Sequence, residues 1–250
     1  KLLGKPVVIR TLDLGGDKNF KLLKQANHEE NPFMGYRAIR FCLDHKDVFL
    51  QQIRAILRAS AFGKIKILLP MISSIREVER ARVLIEQAKE DLSAAGEAFD
   101  KNIEVGAMIE VPSAAITVDI IAQVCDFISI GTNDLIQYLL AVDRVNDMVA
   151  HLYEPTHPAV LRTLNYVVTS VRKMGKPVGV CGELAANPIF APLLLGMGVT
   201  EFSMSANSVS EIKFLLRKTS FEDARKLRDE VLQMQRSRHI ISKLRSFHYE

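Results

Sequence analysis

Six short apolar runs, each separated from the next by a helical pattern, restrict this chain more than any other feature. They are Pro6-Val-Val-Ile-Arg10, Ile65-Lys-Ile-Leu-Leu-Pro70, Val105-Gly-Ala-Met-Ile109, Phe127-Ile-Ser-Ile-Gly131, Pro177-Val-Gly-Val-Cys181 and Glu201-Phe-Ser-Met-Ser205. Near-continuous apolar strands of this length, with helices between them, belong to a parallel sheet buried on both faces. Between the second and third runs, Ile75, Val78, Ala81, Ile85, Ala88 and Leu92 recur at steps of three and four. That is one helix face, opened by a capping box formed by Ser74 and Glu77. Residues 161–173 read as another helix, stopped by Gly175. Asn187-Pro188 reads as the start of a third, stopped by Gly196 and Gly198. A short seventh strand is expected at 36–40. Six to eight β/α units over roughly the first 216 residues fit an α/β fold of the (β/α)8 TIM-type barrel better than an open doubly wound sheet. A complete barrel needs one strand more, which is expected before Lys1. The chain opens on Lys1 rather than Met and reads as a piece of something longer.

Charge excludes some partners. Lys and Arg number 33 against 29 Asp and Glu, and residues 217–250 hold nine basic against five acidic groups, the whole excess. The remainder is balanced, so a body-wide basic footprint for nucleic acid is missing; the tail reads as a solvated helix face. No apolar run approaches the roughly 18 residues that span a bilayer, so no membrane partner is expected. Cys42, Cys125 and Cys181 are odd in number and far apart. They point to a reducing cytoplasm, with neither disulfides nor a zinc pair.

Reactive groups gather where the runs end. Ile9 hands over to Arg10, Thr11 and Asp13; Ile109 to Glu110; Gly131 to Thr132, Asn133 and Asp134; Val180 to Cys181, Gly182 and Glu183. In a parallel barrel those ends share one face, where such enzymes keep their active sites. A bare scaffold has no reason to put them there. Two long connections, 13–35 with Gly15-Gly16-Asp17-Lys18 and 141–158 with Asp143-Arg144, Pro155 and Pro158, read as functional loops.

Glu110 and Asp134 are the metal candidates. Two strand-end carboxylates that leave positions open for water and substrate oxygens suit Mg²⁺; the bland alternative is a salt-bridged pair of acids. Arg10, Arg37 and Arg144 are the anion candidates, since guanidinium offers paired planar donors that stay charged. Either Arg37 or Arg40 could instead be a surface helix residue. Asn133 adds a side-chain donor, and the amides of the helix that follows could face an anion. Cys181 is the one cysteine placed to meet a substrate, whereas Cys42 and Cys125 read as small core residues. No histidine sits at a strand end beside an acid, and His151 and His157 read as structural.

The motifs, in order, are Ile9-Arg-Thr-Leu-Asp-Leu-Gly-Gly-Asp-Lys18, Asn31-Pro-Phe-Met-Gly-Tyr-Arg-Ala-Ile-Arg40, Ser60-Ala-Phe-Gly63, Ile109-Glu-Val-Pro112, Ser129-Ile-Gly-Thr-Asn-Asp-Leu135, Ala141-Val-Asp-Arg144 and Cys181-Gly-Glu-Leu184. Together they resemble the phosphoenolpyruvate-binding barrel of enzyme I of the bacterial sugar phosphotransferase system, a phosphoenolpyruvate–protein phosphotransferase. The resemblance implies that residues 1–250 form one such domain. It implies that Arg10, Arg37, Asn133, Asp134 and Arg144 hold phosphoenolpyruvate, that Glu110 and Asp134 ligate Mg²⁺, and that Cys181 protonates the leaving enolate to give pyruvate. It also implies a cytoplasmic homodimer that reaches the carrier protein HPr through a separate N-terminal phosphohistidine domain. This chain alone would then bind substrate without full turnover. Three features depart from the family: its arginine on the preceding strand has no counterpart, Val145 stands where Gly is usual, and nothing matches after Leu232. Pyruvate phosphate dikinase and phosphoenolpyruvate synthase carry similar barrels. Other classes are a non-catalytic phosphoenolpyruvate sensor or dimerisation module, and a Mg²⁺-dependent aldolase, which would need fewer arginines.

Overall fold

The computed structural model describes residues 4–13 and 29–249. The Gly15-Gly16-Asp17-Lys18 stretch lies outside them. Contacts divide the chain into two compact units: Lys1–Met108 with Gln123–Phe127, and Ile109–Ala122 with Ile128–Glu250.

In the first unit the order is β1 (Val7–Arg10), α1 (Ala38–Asp44), α2 (Lys46–Ser60), β2 (Ile65–Leu69), α3 (Ile75–Ala94) and β3 (Glu104–Ile109), whose last residue falls in the second unit. β1 pairs in parallel with β2, with Ile9 beside Ile67, and β2 pairs in parallel with β3, with Ile67 beside Val105. Burial explains why these segments are strands: Ile67, Leu69, Val105 and Ala107 are all sealed from water. α3 buries Val78, Ala81, Ile85, Ala88 and Leu92 of the expected stripe, and Leu84 beside them, while Ile75 at its start stays half-buried. At its N-terminus the Glu77 carboxylate accepts the backbone N–H of Ser74 at 3.0 Å and of Ser73 at 2.6 Å, satisfying donors that a helix start leaves open.

In the second unit the order is α4 (Pro112–Ile116), α5 (Val118–Ile121), β4 (Ile128–Gly131), α6 (Thr132–Leu140), α7 (Pro158–Lys173), β5 (Val178–Cys181), α8 (Ala191–Met197), β6 (Glu201–Ser203), α9 (Ala206–Lys218), α10 (Phe221–Gln233) and α11 (Ser237–Tyr249). β4 pairs in parallel with β5 and β5 with β6, Gly131 standing beside Cys181 and Cys181 beside Ser203. All six expected strands are present, and their pairing is parallel within each unit. α7 ends as expected, with Gly175 at φ +71°. The basic tail forms α10 and α11, which keep only a few apolar side chains, such as Leu227, Val231, Ile240 and Leu244, inside.

Three local expectations are corrected. The stretch 36–40 is not a strand: Arg37 is extended, but α1 begins at Ala38. Ala38, Ile39, Phe41, Cys42 and Leu43 are all buried, a set that helix spacing accommodates and strand alternation does not. Asn187-Pro188 does not open a helix either. The Asn187 side chain accepts the Ile189 N–H at 3.1 Å in a turn, and α8 starts at Ala191. Gly196 lies inside α8, where a Cβ would fall 2.0 Å from the Ala224 carbonyl oxygen of α10; only Gly198, at φ +102°, ends the helix. None of the described helices is long and apolar enough to cross a membrane.

Candidate functional site

In the second unit the site is built from adjoining strand ends. β4 stops at Gly131 and α6 begins at once, so Asn133 and Asp134 sit in a helical first turn, at the positive end of the helix dipole. The parallel register puts the end of β5 alongside, and Thr132 Oγ1 donates to the Cys181 carbonyl at 2.9 Å. Gly182 then turns the chain at φ +102°. A Cβ there would stand 2.6 Å from Thr132 Oγ1 and 2.8 Å from Asn133 Oδ1, so both the dihedral and the space require glycine.

This turn delivers Glu183 to Asn133. The Glu183 N–H donates to Asn133 Oδ1 at 3.0 Å, and Asn133 Nδ2 donates to Glu183 Oε1 at 3.4 Å. Arg144 joins them from the loop after α6. Its backbone N–H donates to the buried Gln137 Oε1 at 3.1 Å. Its guanidinium lies between Asp134, at 3.8 Å, and Glu183, at 3.6 Å. Its Nε is buried and meets no acceptor among the described residues. Tyr153, from the same loop, donates its hydroxyl to the Asn133 carbonyl at 3.3 Å. Burial pushes the Tyr153 phenol up to about 12; the Arg144 charge opposes this, while Glu183 and Asp134 add to it. The group therefore remains a neutral donor at ordinary pH.

Cys181 is partly exposed, donates its thiol to the Ile130 carbonyl at 3.4 Å and accepts Ser129 Oγ at 3.6 Å. Glu110 follows β3 directly and is buried, as is Asp134. Among the described residues no group of three or more His, Cys, Asp or Glu side chains comes together as a ready-made metal cage.

The first unit holds the other two arginines. Arg37 grips Asp13 through Nε at 3.2 Å and Nη2 at 2.9 and 3.1 Å, with only 7% and 6% of the two side chains exposed. Arg10, with 45% of its side chain exposed, approaches the same carboxylate at 3.6 Å. Arg40 is a backbone clamp, donating to the carbonyls of Met34 at 2.6 Å and Gly35 at 2.9 Å. Cys42 and Cys125 are buried, and burial, assisted by the Asp13 charge, pushes the Cys42 thiol up to about 12. His157 caps α7, its Nδ1 accepting the Ala159 N–H at 3.1 Å.

Of the residues singled out from sequence, Asn133, Asp134 and Arg144 meet in the second unit with Cys181 on the adjoining strand, and Arg10 and Arg37 meet in the first. Sequence inspection gave no role to Asp13, Gln137, Tyr153 or Glu183. Asp13 and Glu183 were visible as strand-end acids. Tyr153 and Gln137 carried no signal, because their use depends on how the loop after α6 folds back.

Parallel β/α units with polar groups gathered just beyond strand C-terminal ends define an α/β domain of the TIM-barrel type. Residues 1–221 match the family model described as PEP-utilising enzyme, PEP-binding domain, and the chain belongs to that family. It is 46% identical over 242 residues to the phosphoenolpyruvate-protein phosphotransferase of Bacillus subtilis, covering 97% of this chain and 42% of that protein. It is 50% identical over 230 residues to the Haemophilus influenzae protein of the same name, covering 92% of this chain and 40% of that protein. The chain thus spans about two fifths of the length of these curated relatives. Among solved structures, a citrate lyase from Burkholderia xenovorans aligns with a TM-score of 0.53 at 18% identity, covering 83% of this chain and 70% of that one. That likeness concerns the fold alone.

Proposed function

We propose that residues 1–250 are the phosphoenolpyruvate-binding domain of a phosphoenolpyruvate–protein phosphotransferase. The observation that carries this is the meeting of the Asn133 amide and the Arg144 guanidinium beside Asp134, with a thiol, Cys181, on the next strand end. Family membership and the names of the relatives support the substrate. Within the second unit Asn133 and Arg144 are the anion-binding groups; within the first, Arg10 and Arg37 are anion-binding groups, with Asp13 keeping both guanidinium groups in place.

The donor set fits Mg²⁺. Glu110 and Asp134 are buried carboxylates, hard oxygen donors, and such a pair suits an ion that keeps water and takes substrate oxygens. When bound, that ion supplies positive charge to the phosphate and enolate oxygens. The arginines and Asn133 orient the phosphoryl group for in-line transfer, a reaction governed by positioning and charge stabilisation. The bridging P–O bond breaks as a bond forms to a histidine nitrogen of a separate N-terminal domain, which later passes the group to HPr. The bond electrons stay on the enolate. Cys181, whose S–H is held by Ile130 and whose sulfur accepts from Ser129, delivers its proton to the enolate methylene carbon and so releases pyruvate. Turnover requires that acceptor domain, while residues 1–250 bind the substrate. The protein works as a cytoplasmic homodimer, needing neither nucleic acid nor membrane.

Calorimetry of phosphoenolpyruvate into the 250-residue chain, with and without Mg²⁺, tests this. Binding is expected in both conditions and tighter with the ion. Equal affinity would remove the metal from the proposal, and no binding in either would remove the substrate.

A further inference from the structure

We infer that Glu183 is a placeholder anion: its carboxylate lies between Asn133 and Arg144, and an incoming phosphoenolpyruvate displaces it. This rests on the function proposed above. Three features support it. First, Glu183 Oε1 engages the two donors assigned to substrate, Asn133 Nδ2 at 3.4 Å and Arg144 Nη1 at 3.6 Å. Both distances are long for charge-assisted contacts, which usually close to about 2.7–2.9 Å, so the carboxylate is loosely held. Second, 79% of the Glu183 side chain is exposed, so it can swing into solvent without opening the core. Third, the backbone does not need to follow. The Glu183 N–H remains on Asn133 Oδ1 at 3.0 Å, and Gly182 fixes the turn with no room for a side chain.

The physical consequence is competition. The carboxylate and phosphate of phosphoenolpyruvate are both ionised near neutral pH, and Glu183 in its present place would stand against them as a like charge. In that place the carboxylate also balances Arg144, which faces Asp134 as well. Binding therefore exchanges one anion for another, and part of the intrinsic affinity is spent on moving Glu183 out. Asn133 stays pre-oriented throughout, because its Oδ1 is held by the backbone rather than by the carboxylate.

Two variants test this by calorimetry with phosphoenolpyruvate and Mg²⁺. Glu183→Gln keeps the shape and removes the charge; Glu183→Ala removes the group. Both leave the backbone N–H in place. Each is expected to bind phosphoenolpyruvate roughly two- to five-fold more tightly than the unaltered chain, the range that losing one exposed ion pair supports. Unchanged or weaker binding in both would overturn the placeholder role. Tighter binding in Glu183→Gln with weaker binding in Glu183→Ala would also overturn it, making Glu183 a positioning residue for Asn133. If the unaltered chain itself bound no phosphoenolpyruvate, the failure would belong to the proposed function and not to Glu183. Inorganic phosphate serves as a second probe and should show the same order of affinities.

Discussion

Asp13 is the residue on which two arginines converge, and their unequal burial separates what each does for the fold. The Arg37 pair is sealed and bidentate, whereas Arg10 meets the same carboxylate from a half-exposed position. Removing one partner of a buried pair leaves an uncompensated charge, at a cost of about 3–5 kcal/mol. An exposed pair contributes below about 1 kcal/mol. Denaturant melts of Asp13→Asn and Arg10→Ala should therefore differ severalfold, with Asp13→Asn much the less stable; equal losses would mean that Asp13 is solvated. Cys181 allows a chemical test at the same scale. If its thiol serves the enolate carbon, it should catalyse exchange of the pyruvate methyl protons with deuterium, a step that needs no histidine. Cys181→Ala should abolish that exchange, followed by NMR with Mg²⁺, while changing phosphoenolpyruvate affinity by less than about 1 kcal/mol, as expected where no charged contact is lost. Exchange at the original rate would assign the proton to another group.

At the level of elements, the site depends on the parallel register, which sets Gly131 beside Cys181 and so brings the first turn of α6 against the Gly182 turn. Helix crossings then fix the rest of the second unit. A tight one is at Gly196, where α8 meets the Ala224 carbonyl of α10 and where Arg228 of α10 donates back to the Gly196 carbonyl at 3.1 Å. A methyl group at Gly196 would force the backbones apart, an overpacking that costs about 1–3 kcal/mol or more. Gly175 offers the opposite case: its φ is +71° but nothing lies near its missing Cβ, so Gly175→Ala carries only the left-handed penalty of about 1–2 kcal/mol. The thermal midpoint should fall further for Gly196→Ala than for Gly175→Ala. The reverse order would show that α8 and α10 can separate cheaply.

For the whole molecule, the coverage of the relatives sets the frame. The chain accounts for about two fifths of the length of proteins named as phosphoenolpyruvate-protein phosphotransferases, and the proposed function assigns the acceptor histidine and the route to HPr to a separate domain. If the proposed homodimer forms through this domain, the 250 residues alone should assemble. Sedimentation velocity of the 250-residue chain at micromolar concentration should give a dimer, and a strict monomer would remove self-association from the proposed function.

The six strands were legible because burial on both faces writes them as continuous apolar runs. The stripe of α3 was legible because a helix repeats every three to four residues. The strand-end candidates followed from the same runs, since each run marks where its own polar successor must sit. The rest depends on contacts between distant residues. Asn133 and Glu183 are 50 positions apart, and Arg37 and Asp13 are 24 apart. No local period records such distances. Asn187-Pro188 resembled a helix start because its side chain can cap either a helix or a turn, and the turn closed on Ile189 instead. Gly196 resembled a stop because glycine disfavours helices, yet it sits inside α8 where a neighbouring backbone needs the space. The sequence by itself determined which segments become parallel strands and which chemical groups stand at their ends, because both follow from local burial and polarity. Only the tertiary structure decided that Asp13 gathers Arg10 and Arg37 and that Glu183 lies between Asn133 and Arg144, because hydrogen bonds and ion pairs form only where packing brings distant side chains within about 3–4 Å.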